Sequence, residues 1–203
     1  MKPDIAKMPM KNRFQHLFAV ISGQRFLNKQ GLGNEVPFFI CPFQAEEAVE
    51  MERLRRQLVK RLEQSGIRIL EINLYDLSIT MLKKEGDFEW IINHEKEMTK
   101  AKLLEELQGI LDVESALIPE MAKEITTYEF DVLFISGVGE VFPYIRSHNV
   151  LNNLQSTAKE KPTVMFFPGA YTHSLETGAS LDLFGKLHDD KYYRAFNIFH
   201  CEA

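Results

Sequence analysis

Short apolar runs alternate along this chain with longer stretches in which apolar residues recur at helical spacing. Residues 132–135 read Val-Leu-Phe-Ile and are closed by Ser136-Gly137. A run that short, β-branched at both ends, predicts a strand covered on both faces. Gly137 and Gly139 predict a sharp turn or a close approach of backbone to a neighbour. A helical pattern follows, with Ile145, Asn149 and Asn152 on one side and Tyr144, Val150, Leu151 and Leu154 near the other. The segment 130–154 therefore reads as strand, glycine turn and helix. In open parallel sheets such a turn lies at the carboxyl end of a strand, where ligands bind.

The same reading extends along the chain. Residues 1–11 read as a loose basic arm, and Asn12 as the cap of a helix carrying Phe14, Leu17, Phe18 and Ile21 that ends at Ser22-Gly23. Residues 26–37, with two glycines and two asparagines, predict a turn-rich loop. Residues 38–43 predict a first strand that must end at Pro42 or lie at an edge, because proline has no N–H to donate. The clearest helix is 45–65, striped by Met51, Leu54, Leu58 and Leu62 and stopped by Gly66. Its acidic residues come first and its basic residues later, which suits the helix dipole.

Residues 67–74 are apolar on both parities and predict an internal second strand. Helical patterns then fill 76–84 and 87–111, and Pro119 starts or kinks a last helix to about Thr127. A parallel crossover needs only about a dozen residues, so 87–127 reads as a helical insertion between strands two and three. A fourth strand runs over 163–167 and ends at Pro168-Gly169. A loop is predicted at 171–180, and a final strand at the end of 189–199. The expectation is one α/β domain over 1–203, with a mainly parallel sheet of about five strands flanked by helices.

Composition narrows the function. The formal net charge of −5 lowers the expectation of a DNA-binding protein, which usually shows a basic balance. Two cysteines, Cys41 and Cys201, imply no disulfide framework. No apolar targeting core and no stretch near the ~18 apolar residues of a membrane span is present, so a cytoplasmic protein is expected.

Candidate chemistry is sparse. The strand–glycine–helix layout resembles a P-loop NTPase core, but no G-x-x-x-x-G-K-[ST] string exists, and residues 136–140 lack both the lysine and a third dinucleotide glycine. The histidines have no zinc-binding spacing and no nucleophile elbow occurs, so no metal, cofactor or catalytic residue is expected. Cys41 reads as a buried, inert thiol. The densest polar set is Glu140, Arg146, His148, Asn149 and Asn152 beside Gly137 and Gly139. Arg146 suits a bidentate bond to phosphate or carboxylate, and His148 a hydrogen-bond switch. Alternatively both tie the turn to neighbours such as Asp131 or Glu140. Tyr192, Tyr193 and Arg194 read as an aromatic interaction surface or as core. Arg53, Arg55, Arg56, Lys60 and Arg61 offer a nucleic-acid surface or simply a solvated helix face.

Several strings together resemble one family: residues 26–38, 70–77 (L-E-I-N-L-Y-D-L), 135–154, 164–171 (V-M-F-F-P-G-A-Y) and 183–196. They are similar to the BrxB family of bacterial BREX phage-defence systems, over about 14–199. BREX systems restrict phage and mark host DNA by methylation, pairing a methyltransferase with the ATPase BrxC and the alkaline-phosphatase-like protein PglZ. The resemblance implies an accessory component of that assembly and supplies no catalytic residues. A non-catalytic adaptor is the leading expectation, with a PglZ-like protein as the preferred direct partner, a BrxC-like ATPase second, and DNA reached only through the complex. A nucleotide-binding or sensing protein using 136–149 is the first alternative, and a nucleic-acid module the second.

Overall fold

A computed structural model describes residues 5–30, 37–174, 178–187 and 195–202. Helices α1 (Met10–Ser22) and α2 (Gln24–Leu27) precede strand β1 (Phe38–Phe43), and a 3-10 turn at Ala45–Glu47 leads into α3 (Ala48–Gln64). Strand β2 (Ile69–Asn73) is followed by α4 (Leu74–Glu85), α5 (Asp87–His94), α6 (Lys100–Ile110) and α7 (Ile118–Thr127). Then come β3 (Val132–Ser136), α8 (Ser147–Leu154), β4 (Thr163–Ser174), β5 (Gly178–Leu183) and β6 (Phe196–Asn197). The strands form one six-stranded sheet in the order β2-β3-β4-β1-β6, with β5 paired to β4 outside that row. All pairings are parallel except β4 with β5.

Alternating residues of the inner strands are buried on opposite faces, which is why those strands read as unbroken apolar runs. Val132, Phe134, Phe39 and Cys41 meet Leu17 and Ile21 of α1 and the stripe Met51, Leu54, Leu58, Leu62 of α3. Leu133, Ile135, Phe38 and Ile40 meet α4 and α8 on the other face. Ile91 of α5 and Ile118 and Met121 of α7 join that same cluster, so the 87–127 helices pack onto the sheet instead of building a core of their own.

The structure corrects several local expectations. Helix α1 starts at Met10 with Pro9, not Asn12, at its N-cap, so the basic arm is already helical there. The loop expected at 26–37 opens inside α2, and 31–36 lie outside the described residues. Strand β1 runs through Pro42 and is flanked on both sides. The Thr163 N–H donates to Pro37 O, so odd-numbered residues of β1 face β4 and Pro42 faces the other way. There β6 covers only Phe39 and Ile40, and the missing N–H deprives no partner. Strand β2 is an edge strand, not an internal one. Its apolar parities reflect helices over both faces, which says nothing about strands beside it.

The largest correction concerns Pro168-Gly169, which is not a strand end. Phe43 pairs with Pro168, and Gly169 pairs with Leu183, so β4 exchanges parallel partners for the antiparallel β5 at that step. A Cβ on Gly169 would overlap Asp182 O and lie 2.8 Å from the Phe167 ring, so only glycine permits this approach. Most of the loop expected at 171–180 is thus the end of β4 and the start of β5.

Candidate functional site

The parallel strands end together at one rim, where the β2–α4 turn, the turn after β3 and the β4–β5 hairpin converge. Asn73 closes β2 and caps α4: its Oδ1 accepts the N–H groups of Tyr75 (2.9 Å) and Asp76 (3.2 Å). Gly137 follows β3 with φ +76°, and a Cβ there would overlap Asn73 Oδ1 and lie 2.9 Å from Tyr75 N. The glycine turn therefore seats a neighbouring helix N-terminus instead of starting its own helix, because α8 begins only at Ser147. Gly139 lies under the hairpin, where a Cβ would meet Pro168 at 3.1 Å and the Phe184 ring at 3.2 Å.

Between these pieces is a cleft of about 520 Å³, with Phe43, Met51, Phe166 and Pro168 among its apolar lining and Gly137, Gly139 and Glu140 in its wall. A second hollow of about 370 Å³ continues it past Glu71, Asp76 and Glu124. Another, of about 570 Å³, lies by α1, α2 and Phe39, beside the amino-terminal half of β1. The rim cleft is the better candidate, because ligands of open α/β sheets bind at the carboxyl ends of strands.

Charge in the cleft is largely settled within the protein. Arg55 is buried; it donates Nε to Glu52 Oε2 (3.0 Å) and Nη2 to Glu52 Oε1 (2.8 Å), and it also pairs with Glu71. Arg56 donates to the same Glu52 at 2.7 Å. Burial pushes the Glu52 carboxyl up, but the hydrogen bonds from Arg55 and Arg56 together outweigh it and hold it below its ordinary value. Burial, then the charge of Glu120, raises Glu124. Asp76 and Glu140 are exposed at the mouth.

The remaining sequence-predicted residues scatter. Arg146 is exposed, with its guanidinium 6.0 Å from the Phe142 ring, and Asp131 is held by Arg68 at 3.0 Å instead. His148 is buried on α8, Asn149 is half-buried and its carbonyl accepts Asn153 Nδ2 (2.9 Å), and Asn152 is exposed. None of these four lines the cleft. Tyr192, Tyr193 and Arg194 lie outside the described residues. Arg55 and Arg56 are committed to Glu52, and Arg61 stacks over Phe18 at 5.3 Å, which weakens the reading of α3 as a nucleic-acid surface. Sequence reasoning missed Asn73, Asp76 and Phe184. An Asn two residues before Tyr-Asp, at the junction of strand and helix, is the cap signal that marks the first two.

After β1, where a phosphate loop would stand, residues 44–47 carry no glycine. The Gln44 N–H already donates to Glu47 Oε2 (3.3 Å), and Glu47 takes Arg13 at 2.7 and 2.8 Å. Cys41 is fully buried and burial pushes its thiol far above the ordinary range, as expected of an inert core cysteine. Among the described residues no group of three His, Cys, Asp or Glu side chains is placed to hold a metal ion. Among them, too, no helix is long and apolar enough to cross a membrane.

The family model described as BREX protein BrxB matches residues 70–198, a span holding Asn73, the glycine turn and the hairpin. A BREX protein BrxB of Bacillus cereus (strain H3081.97) is 32% identical over 192 residues, covering 93% of this chain and 97% of the relative. One from Escherichia coli O9:H4 (strain HS) is 26% identical over 189 residues, covering 93% and 91%. No solved structure matches the chain. The family match over more than half of the chain, and a relative this similar along nearly its whole length, agree with the strings read from the sequence: the chain belongs to the BrxB family of BREX proteins.

Proposed function

We propose that this protein is a non-catalytic adaptor of a BREX phage-defence assembly, acting in the cytoplasm and docking another BREX protein at the carboxyl rim of its sheet. The observation that carries this reading is a pair of exposed aromatics flanking the glycine turn. Tyr75 is 43% exposed and its N–H lies against Gly137; Phe184 is 38% exposed and its ring lies against Gly139. Phe184 lines the cleft, and exposed aromatic side chains are the residues that anchor protein interfaces. The arginines lining the cleft are already paired with Glu52 and Glu71, so little positive charge remains to grip a phosphate. A PglZ-like protein is the preferred partner and a BrxC-like ATPase the second, as the family resemblance implies. Gly137, Gly139 and Glu140 shape the surface, and Arg146 adjoins it through Phe142, whose ring meets Phe184 edge-on at 6.4 Å.

The test is co-purification of each BREX component with the full chain and with the Tyr75→Ser/Phe184→Ser variant. Loss of one component from the variant, with an unchanged unfolding midpoint, supports the rim as the docking site. Full retention of every component overturns it.

A further inference from the structure

The hollow of about 370 Å³ beside the rim cleft holds more negative charge than the protein neutralises. Residues of α3, β2, α4 and α7 line it together with Ser136, the last residue of β3. Four carboxylates stand there against two guanidiniums, a formal −2. Glu52 and Glu71 are taken by Arg55 and Arg56. Asp76 and Glu124 have no ion pair among the described residues. Lys84 and Lys123, on the same two helices α4 and α7, do not line the hollow and are both bound to Glu120. Burial, then the charge of Glu120, disfavours the ionised form of Glu124, a cost that a cation in the hollow would offset.

Ser136 is a second and independent sign. It stands two positions after Phe134, so its side chain turns to the same face of the sheet, toward α3. It is only 7% exposed, yet its hydroxyl bonds to no group among the described residues. It borders both this hollow and the rim cleft. A buried hydroxyl is normally satisfied, so one left open inside a hollow is available to what enters. No three side chains here are placed to hold a metal ion, which leaves an organic cation. A guanidinium presents five donors in one plane and matches a set of carboxylate and hydroxyl acceptors.

We propose that this hollow receives an arginine side chain of the partner docked at the rim, an assignment that rests on the rim reading. The aromatics anchor that partner, and the hollow selects for its charge.

The first arm of the test needs no partner. The full chain is titrated with acetyl-Gly-Arg-Gly-amide and with acetyl-Gly-citrulline-Gly-amide, which share a shape and differ in charge. The arginine peptide is expected to shift the backbone amide resonances of Asp76, Thr80 and Ser136 at least about fivefold more than the citrulline peptide, and less as salt is raised. Asp76→Asn/Glu124→Gln is expected to lose most of that shift. Equal shifts from both peptides, or none from either, overturn the proposal.

The second arm measures affinity for the co-purifying component. Thr80 is exposed and lines the hollow, so Thr80→Arg lodges the chain's own guanidinium there. Thr80→Arg and Asp76→Asn/Glu124→Gln are each expected to weaken binding at least tenfold with the unfolding midpoint retained, whereas Thr80→Ala is expected to leave binding within twofold. Full binding by both charge variants, with loss in Tyr75→Ser/Phe184→Ser, overturns the hollow and leaves the rim reading standing. Loss in both charge variants, with full binding by Tyr75→Ser/Phe184→Ser, supports the hollow and overturns the aromatic anchors.

Discussion

Asn73 and Gly137 occupy a single niche: the Asn73 carboxamide oxygen that caps α4 fills the space a side chain on Gly137 would need. The two residues end or follow adjacent parallel strands, with Asn73 in register with Ser136. The cap and the glycine turn are therefore one joint. Gly137→Ala faces both a left-handed backbone and a steric overlap, and is expected to cost about 2–4 kcal/mol. Gly86→Ala, at φ +87° with nothing within 4 Å, is expected to cost only about 1–2 kcal/mol. Asn73→Ala loses a cap worth about 1 kcal/mol. Since it also empties the niche, the double variant should be more stable than the sum of the single losses implies, which denaturant unfolding of the four proteins measures.

Removing the exposed rings at the rim should touch binding and not folding. Phe184→Ser is expected to weaken partner binding at least tenfold, about 1.4 kcal/mol, while shifting stability by less than about 0.5 kcal/mol. Titration calorimetry with the co-purifying component, beside thermal unfolding of the variant, separates the two effects.

The buried Arg13 makes acid stability depend on Glu47. Hydrogen bonds from Arg13 hold the Glu47 carboxyl below its ordinary value, so the folded state favours the ionised form. That stabilisation is complete above the ordinary glutamate pKa of about 4.3 and is lost as pH falls through the lowered folded value. Glu47→Gln is expected to cost about 1–3 kcal/mol at pH 7, because Arg13 stays buried and poorly paired. The gap between variant and parent should shrink as pH falls below about 4.3 and close only below the lowered folded value. Chemical unfolding at a series of pH values tests this, and a gap that does not narrow with falling pH would argue against it.

Nucleotide binding makes the opposite forecast to docking. A nucleotide present at about 100 times its dissociation constant stabilises a protein by about 2.7 kcal/mol. Because the turn after β1 spends its free N–H and its arginine on Glu47, ATP, ADP and GTP with magnesium are expected to leave the unfolding midpoint unmoved. A clear upward shift with any of them would restore the nucleotide reading.

Much of the architecture was legible in the chain. The runs at 38–43 and 132–135, the stripe of 45–65 and the proline at 119 each carry a local signal strong enough to fix an element. The edge position of β2 was not legible, because apolar residues on both faces report covering helices, whereas neighbouring strands are chosen by the whole topology. The β4–β5 hairpin was hidden for another reason. Pro168-Gly169 is the strongest turn signal in its region, yet it serves a change of partners within an extended strand. At the site, the glycines announced a close approach but not to what. Asn73 is 64 positions away in sequence, and only the pairing of β2 with β3 brings it there.

Strand β4 spans twelve residues without a break, its first half locked between β3 and β1 and its second half bound to β5. It works as a lever. A load on the hairpin at Phe184 would pass along this one strand toward the middle of the molecule. Tension or twist imposed by an assembled neighbour would arrive at Phe166 and Phe167, among the least yielding side chains present.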